Sequence, residues 1–240
     1  MTDQGLQFPK FYVTAPAPCP YLDGRTERKV FTELAGPDAA ALGEALGRVG
    51  FRRSQSVVYR PACEGCAACI SVRVRANDFR PRKSDRRVWK RNSDLKAVLR
   101  PAEVTEEQFD LLSRYLAHRH GDGSMAEMSR EEFRDMVETT PVPTVMVEYR
   151  RVMDDRLMAC ALTDELSDGL SMIYSFFDTS APRRSLGTHV ILDHIERTQA
   201  MRRDYVYLGY WVEGSPKMDY KRRFRPLEKL GPDGWHTLED

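Results

Sequence analysis

Short stretches in which apolar and polar residues alternate recur along the chain and predict β-strands. In the stretch ISVRVRA, Ile70, Val72 and Val74 share one face of an extended strand, and the polar residues between them share the other. The stretch VVYRP, a little earlier, has the same character. Further strands are predicted near residues 143–151, 156–164, 169–177 and 205–212.

Helical patterns lie between these strands. An alanine-rich stretch after Pro37 predicts one helix, and SDRRVWKRNSDLKAVL predicts a very basic helix with Ser84 as its N-cap. Two further helices are predicted to begin at capping boxes, at residues 105–108 and 129–132. A last helix is predicted near residues 187–201.

The order of these elements predicts an α/β fold. After residue 143, three strands, a crossover helix and another strand indicate a mixed sheet. The first 35 residues are expected to be mostly loop. We place a domain boundary at Pro101, which divides the chain into residues 1–100, with the cysteines and the basic segment, and residues 101–240.

The boundary at Pro101 coincides with a reversal of charge. Residues 48–100 carry fifteen Lys or Arg and four Asp or Glu, a local charge of +11, whereas residues 101–170 carry seven and sixteen, a local charge of −9. The basic segment predicts a surface for a polyanion, most simply nucleic-acid phosphates. The alternative is that the two segments pair with each other inside one fold.

Composition excludes several classes of protein. A chain of 240 residues with 41 % hydrophobic and 30 % charged residues is typical of a soluble globular protein. No apolar run reaches the roughly 18–20 residues needed to cross a bilayer, so no membrane association is expected. The N-terminal stretch MTDQGLQFPKFYV lacks the pattern of a secretion signal, so we expect a cytoplasmic protein.

Three of the five cysteines lie close together in YRPACEGCAACISVRV. Cys63, Cys66 and Cys69 have two residues between them, and Cys19 could supply a fourth thiolate. Such spacing occurs at zinc sites and in iron–sulfur ligation, so a metal or iron–sulfur cluster is one hypothesis. The other is a tight turn whose thiols pack in a core.

The segment RRSLGTHVILDHI runs from a strand end into a helix. Arg184 and Gly187 resemble part of the phosphate-binding turn of N-acetyltransferases, where unpaired backbone N–H groups and the helix dipole favour an anion. His189 stands where that pattern has Gly or Ala, which argues against coenzyme A as the ligand. An ordinary polar turn is the alternative.

The segment YVYLGYWVEGSPKMDYKRRFRPLEKL interleaves aromatic and basic side chains. Aromatic rings stack on unpaired bases and basic groups hold phosphates, so the segment indicates a surface for a single-stranded RNA end. The alternative is a core strand followed by a solvated basic loop.

Together these segments identify a resemblance. CPYLDGRTERKVFTEL, GFRRSQSVVYRPACEGCAACISVRV, WKRNSDL, SMIYSFFD and YLGYWVEGSPKMDYKRRFRPLE, which span about residues 19–228, resemble the arginyl-tRNA–protein transferase family. Asp23 replaces a proline that is usual in the family. The resemblance implies an N-terminal cysteine-bearing domain and a C-terminal N-acetyltransferase-like domain.

The short bacterial branch of this family implies a reaction. Its members transfer leucine from leucyl-tRNA to N-terminal Asp or Glu, which marks the acceptor for degradation by the N-end rule. An aminoacyl ester is already activated, so no cofactor is required. Three alternatives remain open: arginine as the donor, acyl-coenzyme A as the donor of an N-acyltransferase, and a non-catalytic RNA-binding module.

We assign site roles by combining the resemblance with side-chain chemistry. Asp178 could hold or deprotonate the acceptor amine, and tyrosine hydroxyls could donate to the oxyanion or the leaving ribose oxygen. The candidate catalytic residues are Asp178, Tyr174, Tyr207 and Tyr210. The candidate tRNA-binding residues are Arg86, Arg87, Lys90, Arg183, Arg184, Gly187, Lys217 and Lys221. Arginine binds carboxylates bidentately and therefore suits recognition of the acidic N-terminus. The candidates for this role are Arg52, Arg53, Arg60 and Arg73.

Overall fold

The computed structural model describes residues 9–119 and 128–239. Within these residues the helices are α1 (Ala39–Arg48), α2 (Lys83–Arg91), α3 (Glu106–Arg119), α4 (Arg130–Glu138) and α5 (Leu186–Ala200). The strands are β1 (Tyr12–Val13), β2 (Ala17–Pro18), β3 (Thr26–Glu27), β4 (Lys29–Glu33), β5 (Arg52–Ser54), β6 (Val57–Pro61), β7 (Cys69–Arg75), β8 (Leu95–Pro101), β9 (Thr144–Arg151), β10 (Leu157–Leu166), β11 (Gly169–Phe177), β12 (Tyr205–Val212), β13 (Leu227–Gly231) and β14 (Gly234–Thr237).

Eight strands form one mixed sheet in the order β14-β13-β7-β12-β11-β10-β9-β8. Neighbouring strands are antiparallel except β11 and β12, which are parallel and are joined through α5. A crossover helix is the usual way to join parallel neighbours, since a tight turn cannot. The predicted α/β fold with a mixed sheet is confirmed.

Helices cover both faces of this sheet. On one face α5 and α2 pack through Val190, Ile195 and Val88 against the apolar residues of the central strands. On the other face α3 and α4 pack through Leu112 and Phe133 against β9, β10 and β11. The protein therefore has two apolar layers, one on each side of the sheet.

A second, smaller sheet has the order β1-β4-β6-β5. It packs against α1 through Leu34, Ala39 and Val58. Arg53 of β5 ties it to the large sheet by two 2.6 Å contacts with Asp164 of β10, and both side chains are buried. The predicted boundary at residue 100 falls at the end of β8, inside the large sheet, because β7 and β8 both pair there.

Several local predictions are confirmed and others are wrong. The capping boxes at Thr105 and Ser129 form as predicted. Ser84 is not the N-cap of α2. That position belongs to Arg82, whose backbone N–H donates to Asp85 at 2.9 Å. The basic helix also ends at Arg91, and the stretch LKAVLRP beyond it forms β8 because it pairs with β9.

The opening segment, which the sequence predicts to be mostly loop, and the region after residue 226, for which the pattern predicts no strand, both contain strands. β4 pairs with β6 over five residues, and β13 adds to the large sheet beside β7. None of the described helices combines the length and the apolar character that crossing a bilayer would require.

Candidate active site

Strands β11 and β12 part shortly after they begin to pair. They match only over Gly169–Ser171 and Tyr205–Tyr207. The pairing of β12 with β7 shifts register between Tyr207 and Gly209, which bends β12 locally. Beyond this point residues 172–177 of β11 and residues 208–212 of β12 no longer pair with each other, and we call the region between them the strand notch.

Arg52 occupies the closed end of the strand notch. Its Nη2 donates to the carbonyls of Met172 at 2.8 Å and Ile173 at 3.3 Å, which replaces hydrogen bonds lost where the strands part. The guanidinium lies directly on Gly209, where an added Cβ would be 2.3 Å from Nη1. Gly209 also has φ +78°, so the position favours glycine on two grounds.

Lys221 reaches the same strand from the 3-10 helix Asp219–Arg223. Its Nζ donates to the carbonyl of Tyr210 at 2.5 Å, and the residue is only 5 % exposed. Burial lowers the pKa of Lys221 to about 7, and repulsion by Arg52 acts in the same direction. Two cationic groups therefore lie together against the backbone of residues 209–210.

Three tyrosines, Tyr174, Tyr115 and Tyr220, lie close to the strand notch. The Tyr174 hydroxyl is buried without a hydrogen-bond partner among the described residues. Burial raises the pKa of Tyr174, and nearby Tyr115 adds to the effect. Tyr115 lies edge-on to Phe177 with ring centroids 5.0 Å apart, and Tyr220 lies close to both Tyr115 and Arg52.

Asp178 follows β11 at the open end of the strand notch and is firmly held. It accepts hydrogen bonds from Ser180 N at 2.9 Å, Ser180 Oγ at 2.6 Å and Arg156 Nη2 at 2.5 Å. Burial opposes ionisation, but the bonds from Ser180 and the charge of Arg156 outweigh it and lower the pKa of Asp178 below its usual value. Such a carboxylate is a weak base and an effective partner for a cation.

The four candidate catalytic residues do not meet at one point. Tyr207 pairs with Ser171, and Ser171 precedes Asp178 by seven residues. Seven residues of extended strand span about 23 Å, so Tyr207 lies far from Asp178. The Tyr207 hydroxyl donates to Asp168 at 2.9 Å. The Tyr210 hydroxyl has one proton to donate and lies 2.8 Å from the carbonyl of Gly50, just before β5, and 3.0 Å from that of Tyr59 in β6 of the small sheet. Burial is the main reason that the pKa values of the Tyr207 and Tyr210 phenols are raised.

The four candidate arginines for the acidic N-terminus divide into two pairs. Arg53 is bound to Asp164, as described above. Arg73 donates to Glu228 at 2.7 Å and stacks 3.5 Å from the Tyr205 ring centroid. These geometries favour structural roles for Arg53 and Arg73. Arg52 and Arg60 form no ion pair among the described residues, and Arg60 is exposed with a bond to the Val49 carbonyl.

The basic helix α2 presents cations to solvent next to the start of α5. Arg86, Arg87 and Lys90 are exposed. The end of α2 is tied to the turn before α5, because Asn92 Nδ2 donates to the Arg184 carbonyl at 2.9 Å. The side chain of Arg184 is paired with Asp94 at 2.7 and 2.8 Å and contributes less free charge than predicted.

The first turn of α5 has no side-chain cap. Ser185 adopts φ +55° at the N-cap position, so its side chain leaves the first N–H groups of the helix open. A Cβ at Gly187 would lie 2.9 Å from a ring carbon of Phe177, so this glycine allows close packing against β11. Exposed Arg183 precedes this turn, and exposed Lys217 lies in the loop after β12.

The four clustered cysteines line one cavity together with Tyr59 and Tyr210. Burial and then the neighbouring thiols raise the pKa of Cys69 to about 11. The thiol of Cys63 interacts with the backbone of Arg28. Four thiols suit zinc or an iron–sulfur cluster in kind, but across residues 9–119 and 128–239 no three His, Cys, Asp or Glu side chains are placed to hold a metal ion.

Sequence reasoning missed three features of this site. Arg156 and Tyr115 lie far from the motifs in the chain and carry no local signal. Gly209 did carry one, because a glycine inside the strand pattern YLGYWV is typical of a bulge or a close approach.

Comparisons with known proteins match nearly the whole chain. The family profile "Arginine-tRNA-protein transferase, N terminus" matches residues 17–87, and "Arginine-tRNA-protein transferase, C terminus" matches residues 107–231. A protein of Sphingopyxis alaskensis named aspartate/glutamate leucyltransferase is 58 % identical over 98 % of this chain and 93 % of its own length. A protein of Parvibaculum lavamentivorans with the same name is 56 % identical over 99 % of this chain and 98 % of its own length. Among solved structures, that of L-PGS from Bacillus licheniformis aligns with a TM-score of 0.47 at 9 % identity, over 60 % of this chain and 46 % of that one.

Proposed function

This chain belongs to the arginine-tRNA–protein transferase family, and we propose that it transfers leucine from leucyl-tRNA to the N-terminal Asp or Glu of an acceptor protein. The observation that carries the proposal is the match to relatives named aspartate/glutamate leucyltransferase, at 56 and 58 % identity over nearly the whole of both chains. The strand notch, with cations at one end and a carboxylate at the other, supports it.

We propose that the tRNA approaches over α2 and the start of α5. The exposed cations Arg86, Arg87, Lys90 and Arg183 would contact phosphates of the acceptor end. The uncapped first turn of α5 would receive one phosphate, since its N–H groups and dipole favour an anion. The terminal ester would then enter the strand notch beside Phe177.

The transfer forms an amide bond between the acceptor nitrogen and the aminoacyl carbonyl carbon. The ester bond to the ribose oxygen breaks, and that oxygen leaves with a proton. A free α-amino group has a pKa of about 7.7–8.0, so much of it is already neutral near that pH and can attack. The protein's main task is therefore to position the reactants and stabilise the oxyanion.

Two side chains suit these tasks. Asp178, whose pKa is lowered, would orient the acceptor amine as a hydrogen-bond acceptor rather than remove its proton. The Tyr174 hydroxyl, buried and without a partner among the described residues, would donate to the oxyanion or the leaving ribose oxygen. Tyr207 and Tyr210 are committed to other acceptors and would support the fold of the site.

We propose that the reaction needs no cofactor, because the ester bond of the donor already supplies the driving force. The four clustered cysteines take no part in the transfer, whether or not they bind a metal. Metal analysis of the purified protein and assays before and after treatment with a chelator test this. Loss of transfer that only added metal restores would contradict it.

We further propose a cytoplasmic enzyme whose product is marked for degradation. Charged tRNA and newly exposed N-termini occur in the cytoplasm, and a leucine added in front of Asp or Glu changes the N-terminal residue from acidic to apolar. Comparing the half-life of a reporter with N-terminal Asp in cells with and without the protein tests this step.

The direct test mixes the protein, a charged tRNA and a peptide that begins with Asp. Mass spectrometry should show a gain of one leucine with leucyl-tRNA and none with arginyl-tRNA. Gain of arginine instead would replace the donor, and acylation from an acyl-coenzyme A would replace the reaction class. Binding of tRNA without any product would indicate a non-catalytic RNA-binding module.

A further inference from the structure

Arg52 and Lys221 are two cations placed together without an anion. The Arg52 guanidinium lies on Gly209 and donates to the carbonyls of residues 172–173, and Lys221 donates to the carbonyl of the next residue, Tyr210, so both cations lie at the same part of the strand notch. Lys221 is 95 % buried, yet neither side chain forms an ion pair within the described part of the chain. A buried ammonium next to a guanidinium is unfavourable unless a negative charge joins them.

The contrast with neighbouring buried arginines is direct. Arg53 is one residue from Arg52 and has Asp164 at 2.6 Å, and Arg73 has Glu228 at 2.7 Å. The fold therefore supplies carboxylates to cations that serve only the structure. Where the described chain supplies none, a ligand carrying a negative charge can take that place.

The burial of Lys221 favours one kind of anion. A bridging phosphate of RNA is flanked by two nucleosides and needs an open surface, such as that of α2. A carboxylate at the end of a short side chain can enter a narrow site. The N-terminal residue of the acceptor carries such a carboxylate two or three carbons from its reacting nitrogen, so a carboxylate site must lie in the same cleft as the amine.

We propose that Arg52 and Lys221 bind the side-chain carboxylate of the acceptor's N-terminal Asp or Glu, with the Arg52 guanidinium held in place by Gly209 and the carbonyls of Met172 and Ile173. This assignment rests on the proposed transfer to acidic N-termini. It makes the pair the specificity determinant of the acceptor, and it leaves the exposed cations of α2 and Arg183 to the tRNA.

The test substitutes Lys221→Met, which keeps an apolar stem of similar length and removes only the buried charge. Transfer is measured with two peptides that begin with Asp or Asn and are otherwise identical. The wild type should prefer Asp, and Lys221→Met should reduce this preference at least about tenfold through the KM of the Asp peptide. The KM for leucyl-tRNA should stay unchanged. The matched control is Lys96→Met. Lys96 is an exposed lysine of the edge strand β8 and pairs with Asp155.

Two further measurements separate the effect of the Lys221 charge, and the carboxylate site itself, from the transfer reaction. Lys221→Arg retains the charge and should retain most of the preference. Binding of the two peptides without tRNA reports on the carboxylate site alone, so a wild type that binds Asp better than Asn but transfers nothing would refute the proposed function and not the site. An unchanged Asp preference in a folded Lys221→Met protein would overturn the site. A raised KM for leucyl-tRNA with unchanged preference would assign the pair to a phosphate instead.

Discussion

At the scale of single residues, the site depends on side chains whose partners lie far away in the chain. Gly209 is the clearest case, because its missing side chain makes room for Arg52, which lies 157 residues earlier. The Asp178 carboxylate likewise depends on Arg156, which lies just before the neighbouring strand β10.

We expect Gly209→Ala to destabilise the protein and to lower transfer. The new Cβ would have to displace the Arg52 guanidinium, and a positive φ costs about 1–3 kcal/mol for a residue with a side chain. Gly214→Ala is a matched control, since Gly214 has the same φ of +78° with no atom within 4 Å of an added Cβ. Urea unfolding and transfer assays compare the two. Equal losses in both variants would show that contact with Arg52 is unimportant.

The lowered pKa of Asp178 predicts a pH-dependent contribution to stability. A carboxylate with a depressed folded pKa stabilises the protein above its unfolded pKa, and the contribution is lost as pH falls through the folded value. Asp178→Asn should therefore lower the Tm at pH 7 and have little effect near pH 2. Exposed Asp110→Asn on α3 serves as the control. A Tm difference independent of pH would contradict the ionic explanation.

At the scale of elements, patterns within one segment predicted well and contacts between segments did not. The capping boxes of α3 and α4 need only four consecutive residues, so the sequence is sufficient to predict them. The stretch LKAVLRP forms β8 only because β9 lies beside it, and its own composition suits a helix. Prediction of the site has the same limit. Asp178 and Tyr174 belong to one segment, SMIYSFFD, and could be selected from the sequence. The carboxylate partners of Arg53 and Arg73 lie far away in the chain and could not be predicted.

The helix α2 provides a prediction at this scale. Charge reversal of Arg86 and Arg87 should weaken tRNA binding and lower the slope of log affinity against log salt by about 1 for each lost phosphate contact. Arg134→Glu on α4, which packs on the opposite face of the large sheet, should leave both unchanged. Fluorescence titrations at several salt concentrations measure the slope. An unaltered slope in the α2 variant would exclude this helix as the tRNA surface.

At the scale of the whole molecule, a few buried polar contacts join the two sheets. The Arg53–Asp164 pair is the most buried of these, and Thr144 also donates to Asp164 at 2.8 Å. Tyr210 adds a buried hydrogen bond from the large sheet to the Gly50 carbonyl before β5, and Trp235 adds an exposed one to the Arg48 carbonyl at the end of α1. These contacts indicate that the small sheet does not behave as an independent unit.

We expect Arg53→Met to destabilise the protein by about 3–5 kcal/mol, because it leaves Asp164 buried without its partner. The double variant Arg53→Met with Asp164→Leu should recover much of this loss. Chemical unfolding followed by fluorescence and circular dichroism measures the effect and shows whether the sheets unfold together. If the double variant were less stable than Arg53→Met alone, the pair would not be the cause.

The position of β7 between β12 and β13 has a consequence for biosynthesis. This strand is made early, as residues 69–75, but both of its neighbours lie beyond residue 204. During translation both edges of β7 therefore stay unpaired until about 130 further residues have been made and β12 begins, and the second edge stays unpaired until β13 begins, about 150 residues after β7. The nascent chain cannot complete the centre of its sheet on the ribosome until almost its entire length has been made.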